Sequence, residues 1–180
     1  MPNYVDESRF PGPDPYAPLK DVPTFALTST DFSEGEQLPE DQRGKASISP
    51  QLAWKAADLP EGTKSLAVTC LDPDAPTGAG FWHWGVFNIP ADTTEIARGA
   101  GKEELQGFPG SVTLKNTGGG FGYYGSQPPA GHAPHRYLFV VHALDVGSLD
   151  IPKDASISIL GFNLYHHTLA RGFIWGWDQN

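Results

Sequence analysis

Three short hydrophobic runs stand out in the chain, at Ser65–Leu71, Trp84–Ile89 and Tyr137–Leu144. Each is rich in residues that favour β-structure, and each is bounded by Gly, Pro or Asp. Their apolar residues are nearly continuous rather than alternating with polar ones. The pattern therefore predicts central strands covered on both faces.

Weaker strand signals lie on either side of these runs. Phe25–Thr30 is predicted as a first strand and Ile48–Trp54, which contains a proline, as an edge strand. Residues 110–116 are expected to add a shorter strand, and Phe173–Trp177 a short last one.

One segment has the spacing of a helix, at Ala155–Arg171. Asp154 is the expected N-cap and Gly172 the expected stop. Apolar residues recur at helical intervals at Ile157, Leu160 and Leu164. Many strands with one late helix predict a mainly β protein. We expect an antiparallel-rich β-sandwich with the C-terminal helix packed on one side.

The length of 180 residues favours a single domain, and the 21 Gly and 17 Pro residues suit a turn-rich β fold. Prolines at 2, 11, 13, 15, 18 and 23 forbid helix and regular strand near the start. The chain is therefore divided into a Pro-rich N-terminal arm, 1–24, and a domain, 25–180. The aromatic residues Tyr4, Phe10 and Tyr16 indicate that the arm packs on the domain.

Charge and cysteine content exclude several classes of protein. Twelve basic and 21 acidic residues leave a net charge of -9, which disfavours binding to nucleic acid or anionic lipid. A single cysteine, Cys70, excludes a disulfide framework and a Cys-based zinc site. No signal peptide and no membrane-spanning run are visible, so we expect a cytoplasmic protein without integral membrane association.

Two motifs resemble known sites but lack the necessary context. Gly120–Gly125 matches the dinucleotide pattern GxGxxG, yet Pro128 and Pro129 prevent the helix that would have to follow. His132 and His135 form an HxxH pair with a proline between them, which is weak evidence for metal. We expect no cofactor and no bound metal.

Polar side chains concentrate in two segments at strand ends, 71–84 and 122–137. Side chains two residues apart in an extended chain share a face, which groups Asp72 with Asp74 and His135 with Tyr137 and points Arg136 the opposite way. If the two strands are neighbours, one small pocket gathers Asp72, Asp74, His83, His135 and Tyr137.

Imidazole, phenol and backbone amide donors together suit a small oxyanion such as phosphate. The carboxylates are expected to lie behind the histidines, raising the pKa of both rings and fixing their tautomers. One carboxylate could instead take a cationic group such as an ammonium.

The same residues resemble two signatures of the phosphatidylethanolamine-binding protein family. The first is Asp72-Pro-Asp-Ala-Pro76 followed by Phe81-Trp-His-Trp84. The second is Gly125-Ser-Gln-Pro-Pro-Ala-Gly131 followed by His135-Arg-Tyr137. The bacterial, Raf kinase inhibitor-like branch is the more similar one.

This resemblance implies a large sheet covered by a smaller sheet on one side and by helix on the other. It implies a pocket for phosphate-like anions formed by Asp72, Asp74, His83, His135 and Tyr137 and lined by Pro76 and Gly125. Members bind phosphoryl head groups or inhibit kinases or serine proteases, and bacterial members are often homodimers. Ser126 and Gln127 depart from the residues that are usual in relatives, and Gln127 could change which ligand fits.

The leading hypothesis is a small-anion-binding regulatory or inhibitor protein, because no nucleophile is paired with a base. The alternative is a metal-assisted phosphoesterase that uses His83 and His135 with Asp72 or Asp74. A third possibility is a protein-interaction module that contacts a protease or kinase through residues 31–45 or 98–110.

Overall fold

The structure is a computed structural model that describes residues 9–10 and 12–180. These residues form eight strands and one α-helix, together with two single-turn helices at Glu40–Gln42 and Ala56–Asp58. Those elements are β1 (Thr24–Ala26), β2 (Leu52–Ala53), β3 (Ser65–Asp72), β4 (Phe81–Pro90), β5 (Glu95–Ile96), β6 (Val112–Thr113), β7 (His135–Leu144), α1 (Ile157–His167) and β8 (Thr168–Asp178).

Six strands form one sheet in the order β1-β8-β7-β3-β4-β6. Neighbouring strands are antiparallel except for β1 and β8, which are parallel. A small second sheet pairs β2 with β5. Every residue of β3 and β7 is buried, as the continuous hydrophobic runs predicted. The antiparallel-rich arrangement of a large and a small sheet is confirmed.

The two faces of the large sheet are covered by different elements. On one face the main core includes Val68, Phe139 and Trp84 together with Leu52 of β2 and Ile96 of β5. On the other face α1 packs its buried residues against the sheet, and these contacts involve Ile157, Leu160, Leu164, Ala67 and Phe87. Gly85 permits the close approach of the helix, because a Cβ there would lie 2.6 Å from Cδ1 of Ile157.

The arm packs on the sheet where the structure describes it. Phe10 lies edge-on to Trp175 with ring centroids 5.7 Å apart, and Tyr16 lies edge-on to Phe173 at 5.0 Å. The packing predicted for these two aromatic residues is confirmed, whereas Tyr4 lies outside the described residues. The division of the chain at residue 24 stays a prediction.

The predicted helix was too long at its C-terminal end. It ends at His167, and Thr168 already pairs with Leu144 in the β7–β8 ladder. Gly172, predicted to stop the helix, lies inside β8 opposite Val141. Hydrogen bonding to a neighbouring strand overrode a local helical spacing, which is common where propensities are weak.

The helix also begins later than predicted. Ser156, not Asp154, is the N-cap, and its hydroxyl accepts from the amide of Ser158. The helix has 11 residues. Among the helices of residues 9–10 and 12–180, none is long and apolar enough to cross a bilayer.

Candidate functional site

Four strand ends meet at one end of the large sheet. Asp72 ends β3, Phe81 begins β4, His135 begins β7 and Asp178 ends β8. Because these strands are adjacent and antiparallel, the ends of β3 and β8 lie beside the starts of β4 and β7. Two segments far apart in sequence are thereby brought together.

Asp72 is a carboxylate whose two oxygens are both engaged. Its Oδ1 accepts from the amides of Asp74 at 2.8 Å and Ala75 at 3.0 Å, an Asx turn that ends the strand. Its Oδ2 accepts from Nδ1 of His135 at 2.8 Å, and both side chains are buried. Asp72 therefore positions the His135 ring and directs its Nε2 away from the turn.

His83 reaches the site through a β-bulge. Trp82 lies opposite Leu71 and Trp84 opposite Cys70, so His83 is an extra residue in β4. Its Nδ1 donates to the carbonyl oxygen of Tyr124 at 2.6 Å. The ring is 4% exposed and lies edge-on to Tyr137, with centroids 5.0 Å apart.

Tyr137 lies at the centre of the cluster. The side chain has no exposed surface, and its hydroxyl has no hydrogen-bond partner within the described residues. Burial, together with the negative charge of Asp72, raises the pKa of the phenol well above 10. The hydroxyl therefore keeps its proton and is a free donor inside the protein.

The two imidazoles differ in charge. Burial lowers the pKa of His83 to about 4, although the Tyr124 carbonyl and Asp72 act in the opposite direction. Burial also lowers the pKa of His135, but the hydrogen bond and the charge of Asp72 outweigh it and raise that pKa above 6.5. The prediction of a raised pKa was wrong for His83, because burial of that ring outweighs the opposite effect of Asp72.

The side chain of Asp74 does not point in the same direction as that of Asp72. Its carboxylate accepts from the backbone amide, Nε and Nη2 of Arg136 and from the amide of Gly12, each at 2.8 Å. Both charged side chains are buried, and Arg136 also donates to the carbonyl oxygen of Gly12. Asp74 thus joins the turn, β7 and the arm, and the turn geometry overrode the alternation expected of an extended chain.

Gly125 and Pro76 are the two residues that the family resemblance placed in the lining of the pocket. A Cβ on Gly125 would lie 2.6 Å from the carbonyl oxygen of Gly44, so a side chain would separate two packed segments. The amide of Gly125 donates to the hydroxyl of Ser47 at 2.9 Å and is not available to a ligand. Pro76 is exposed in the turn between β3 and β4.

Asp178 is a buried carboxylate that the sequence reasoning missed. It lies opposite His135 in the β7–β8 ladder and accepts from the hydroxyl of Ser126 at 2.7 Å and from Nη1 of Arg43 at 3.2 Å. It also contributes to the raised pKa of His135. Its position directly after the last predicted strand was the available signal, but the pairing of that strand with β7 was not visible in the sequence.

Two further observations concern a possible metal site and a second cleft. Over residues 9–10 and 12–180, no three His, Cys, Asp or Glu side chains converge as a metal site requires. A separate cleft of about 750 Å³ lies between residues 14–24 and β8, lined by Arg171 and Phe173 among others, and none of the predicted site residues line it.

Comparison with known proteins identifies relatives that match most of the chain. Residues 28–176 match the protein family described as Phosphatidylethanolamine-binding protein. The UPF0098 protein YbhB of Escherichia coli strain K12 is 44% identical over 154 residues, covering 82% of this chain and 96% of that protein.

Solved structures have the same fold. The crystal structure of E. coli YbcL, described as a new member of the mammalian PEBP family, superposes with a TM-score of 0.82 at 37% identity and covers 87% of this chain and 98% of that one. A carboxypeptidase Y inhibitor complexed with its cognate proteinase superposes with a TM-score of 0.55 at 20% identity, covering 88% and 85% of the two chains. At that identity the second likeness concerns the fold alone.

Proposed function

Because this chain belongs to the phosphatidylethanolamine-binding protein family, we propose that it binds a small phosphate-like anion or phosphoryl head group between His83, His135 and Tyr137. One observation carries the proposal: an enclosed phenol hydroxyl without a partner lies next to two imidazoles that are both anchored through Nδ1. A buried donor without an acceptor is costly, and an oxyanion would supply the acceptor.

The charge at the site supports an anion. The hydrogen bond and the charge of Asp72 raise the pKa of His135 and so favour the positively charged ring. With Nδ1 bound to Asp72, the second N–H at Nε2 is the charge-assisted donor that an oxyanion requires. Asp72 and Asp74 are engaged with His135 and Arg136, so neither carboxylate is left to take an ammonium group.

The enclosure of Tyr137 determines how a ligand would enter. Phe81 and Tyr124 contact the His83 ring, with centroids 4.7 Å and 5.9 Å from it, and Tyr124 is 38% exposed. These two rings form the rim of the site. Ligand access to the phenol hydroxyl requires the rim to shift, which favours small anions over bulky ones.

We propose binding rather than turnover. The hydroxyl of Ser126 donates to Asp178, and that of Thr77 donates to the carbonyl oxygen of Gly80. Neither hydroxyl is hydrogen-bonded to an imidazole, so neither has the base that a nucleophile needs. A chromogenic phosphate ester with added zinc or manganese tests the phosphoesterase alternative, and turnover that His135→Ala abolishes would establish it.

We further propose a regulatory role as an inhibitor of a serine protease or a kinase in the cytoplasm. The fold shared with the carboxypeptidase Y inhibitor is compatible with inhibition but does not identify a target. Inhibition assays against serine carboxypeptidases and kinases, together with cell fractionation, test the role and the compartment.

A homodimer is proposed from the exposed side of α1. Ile159, Phe162 and Tyr165 are 46%, 64% and 44% exposed and follow one another at helical spacing. An exposed apolar stripe of this kind suits contact with a second copy. Light scattering should give a dimer that Phe162→Lys converts to a monomer, and an unchanged mass would contradict this part of the proposal.

The anion site is tested by titration with inorganic phosphate and phosphorylethanolamine, followed by calorimetry and by the imidazole NMR signals. We expect a Kd between about 1 µM and 1 mM, typical of ligands with few contacts. The signals of His83 and His135 should shift. Tyr137→Phe should weaken binding about tenfold by removing one donor, whereas the matched change Tyr165→Phe on α1 should leave it unchanged. Static imidazole signals in the folded protein would refute the site.

A further inference from the structure

The hydrogen bond of His83 fixes its tautomer. A backbone carbonyl has no hydrogen to give, so the 2.6 Å contact between Nδ1 and the Tyr124 oxygen requires the proton on Nδ1. In a neutral ring the other nitrogen, Nε2, then carries a lone pair. That atom has no hydrogen-bond partner in the described residues and is an acceptor, not a donor.

His135 and Tyr137 are donors at the same site. The Nδ1–H of His135 is bound to Asp72, and a protonated ring presents Nε2–H. Tyr137 presents an unpartnered O–H. The expectation that every ring donates to the anion is therefore wrong for His83, and the cluster offers two donors and one acceptor.

The groups around His83 keep it in the acceptor state. The titratable neighbours are Asp72 at the end of β3, His135 and Tyr137 at the start of β7, and Tyr124 in the preceding loop. Asp72 favours a charge on His83, but His135 opposes it, and burial is the largest effect. Between about pH 5 and pH 6 His83 is neutral while His135 is charged.

We propose that this site, if it binds anions as argued above, selects oxyanions that carry one proton. A phosphate monoester in its singly protonated form would donate its P–OH hydrogen to Nε2 of His83 and accept from His135 and Tyr137. Phosphodiesters and sulfate esters lack that hydrogen. An unprotonated oxygen would face the lone pair of His83 and leave a buried acceptor unpaired.

Methyl phosphate and methyl sulfate test the proposal, because their monoanions have the same shape and charge and differ by one O–H. At about pH 5.5 methyl phosphate is mainly the monoanion, since the second pKa of phosphate esters is near 6. Calorimetry should give methyl sulfate a Kd at least about tenfold weaker, as expected for one unpaired buried acceptor. Dimethyl phosphate, also a monoanion without the hydrogen, should be similarly weak.

Each outcome separates the two proposals. Equal affinity for methyl phosphate and methyl sulfate would overturn the selectivity and leave the anion site intact. Failure of both to bind would instead refute the anion site. His83→Gln introduces an amide N–H and should reduce the discrimination, whereas His132→Gln at the exposed neighbouring histidine should preserve it.

A second measurement needs no variant. Long-range proton–nitrogen NMR of the wild-type complex with methyl phosphate should show His83 protonated on Nδ1 alone and His135 protonated on both nitrogens. A doubly protonated His83 in that complex would make the ring a donor and overturn the proposal even if His83→Gln fails to fold.

Discussion

Asp72 and Asp74 are two positions apart in one turn, yet they perform different tasks. Asp72 binds an imidazole whose charge depends on pH, and Asp74 binds a guanidinium that is always charged. The first pair leaves a ring nitrogen directed into the candidate site. The second is fully enclosed and joins the turn to β7 and to Gly12 of the arm. Residue type alone did not separate a carboxylate that tunes a site from one that holds the fold.

Asp74→Asn should have the largest effect, which is a loss of stability. The change removes the negative charge that the buried guanidinium of Arg136 pairs with at Asp74, and breaking a buried ion pair costs about 3–5 kcal/mol. Denaturant unfolding should show this loss, while phosphate affinity of the folded protein should stay within about twofold, because the imidazoles keep their partners. A stability loss under about 1 kcal/mol would show that Arg136 does not depend on Asp74.

Asp72→Asn is the matched change at the other carboxylate, and we expect it to have an intermediate effect on stability. The Asx turn should survive, because the amide oxygen of the new Asn can still accept from the amides of Asp74 and Ala75. The free energy of unfolding should therefore fall by only about 2 kcal/mol at low pH. The pKa of His135 should fall, since Asp72 is the main group that raises it. Phosphate affinity should drop at least about tenfold.

The pH dependence of the Asp72→Asn effect has a defined sign. The pKa of His135 is raised on folding, so its contribution is complete below the unfolded value of 6.5 and is lost as pH rises through the folded pKa. The stability difference between wild type and Asp72→Asn should therefore shrink as the pH rises above 6.5 and through the raised pKa of His135. The difference for Asp74→Asn should decline less, because Asp74 raises the pKa of His135 less than Asp72 does, and an equal decline for the two variants would contradict the comparison.

Ser126→Ala should have the smallest effect. It removes the hydrogen bond to Asp178, which still accepts from Arg43, and the expected cost is about 1 kcal/mol. Because the Ser126 hydroxyl is bound to Asp178 and not to His83, His135 or Tyr137, phosphate affinity should be unchanged. A strong loss of affinity with intact stability would place Ser126 in the binding site instead, and calorimetry distinguishes the two results.

The fold was largely predictable because its central strands, β3 and β7, are short, continuous hydrophobic runs. The end of the helix was not, because the spacing from Ile157 to Thr168 suits a helix in isolation. Only the neighbouring β7 shows that Thr168 starts a strand. Local propensity differences are small compared with a complete strand ladder.

The sequence by itself determined which polar residues could form the site: two histidines, a tyrosine and two aspartates in two motifs. It also determined that they lie at strand ends, because Gly, Pro and Asp bound the runs. Tertiary structure alone decided that a bulge turns His83 towards Tyr137, that Tyr124 fixes its tautomer and that Asp74 serves Arg136. These outcomes depend on backbone groups and buried partners distant in sequence, which set the direction and the protonation of each side chain.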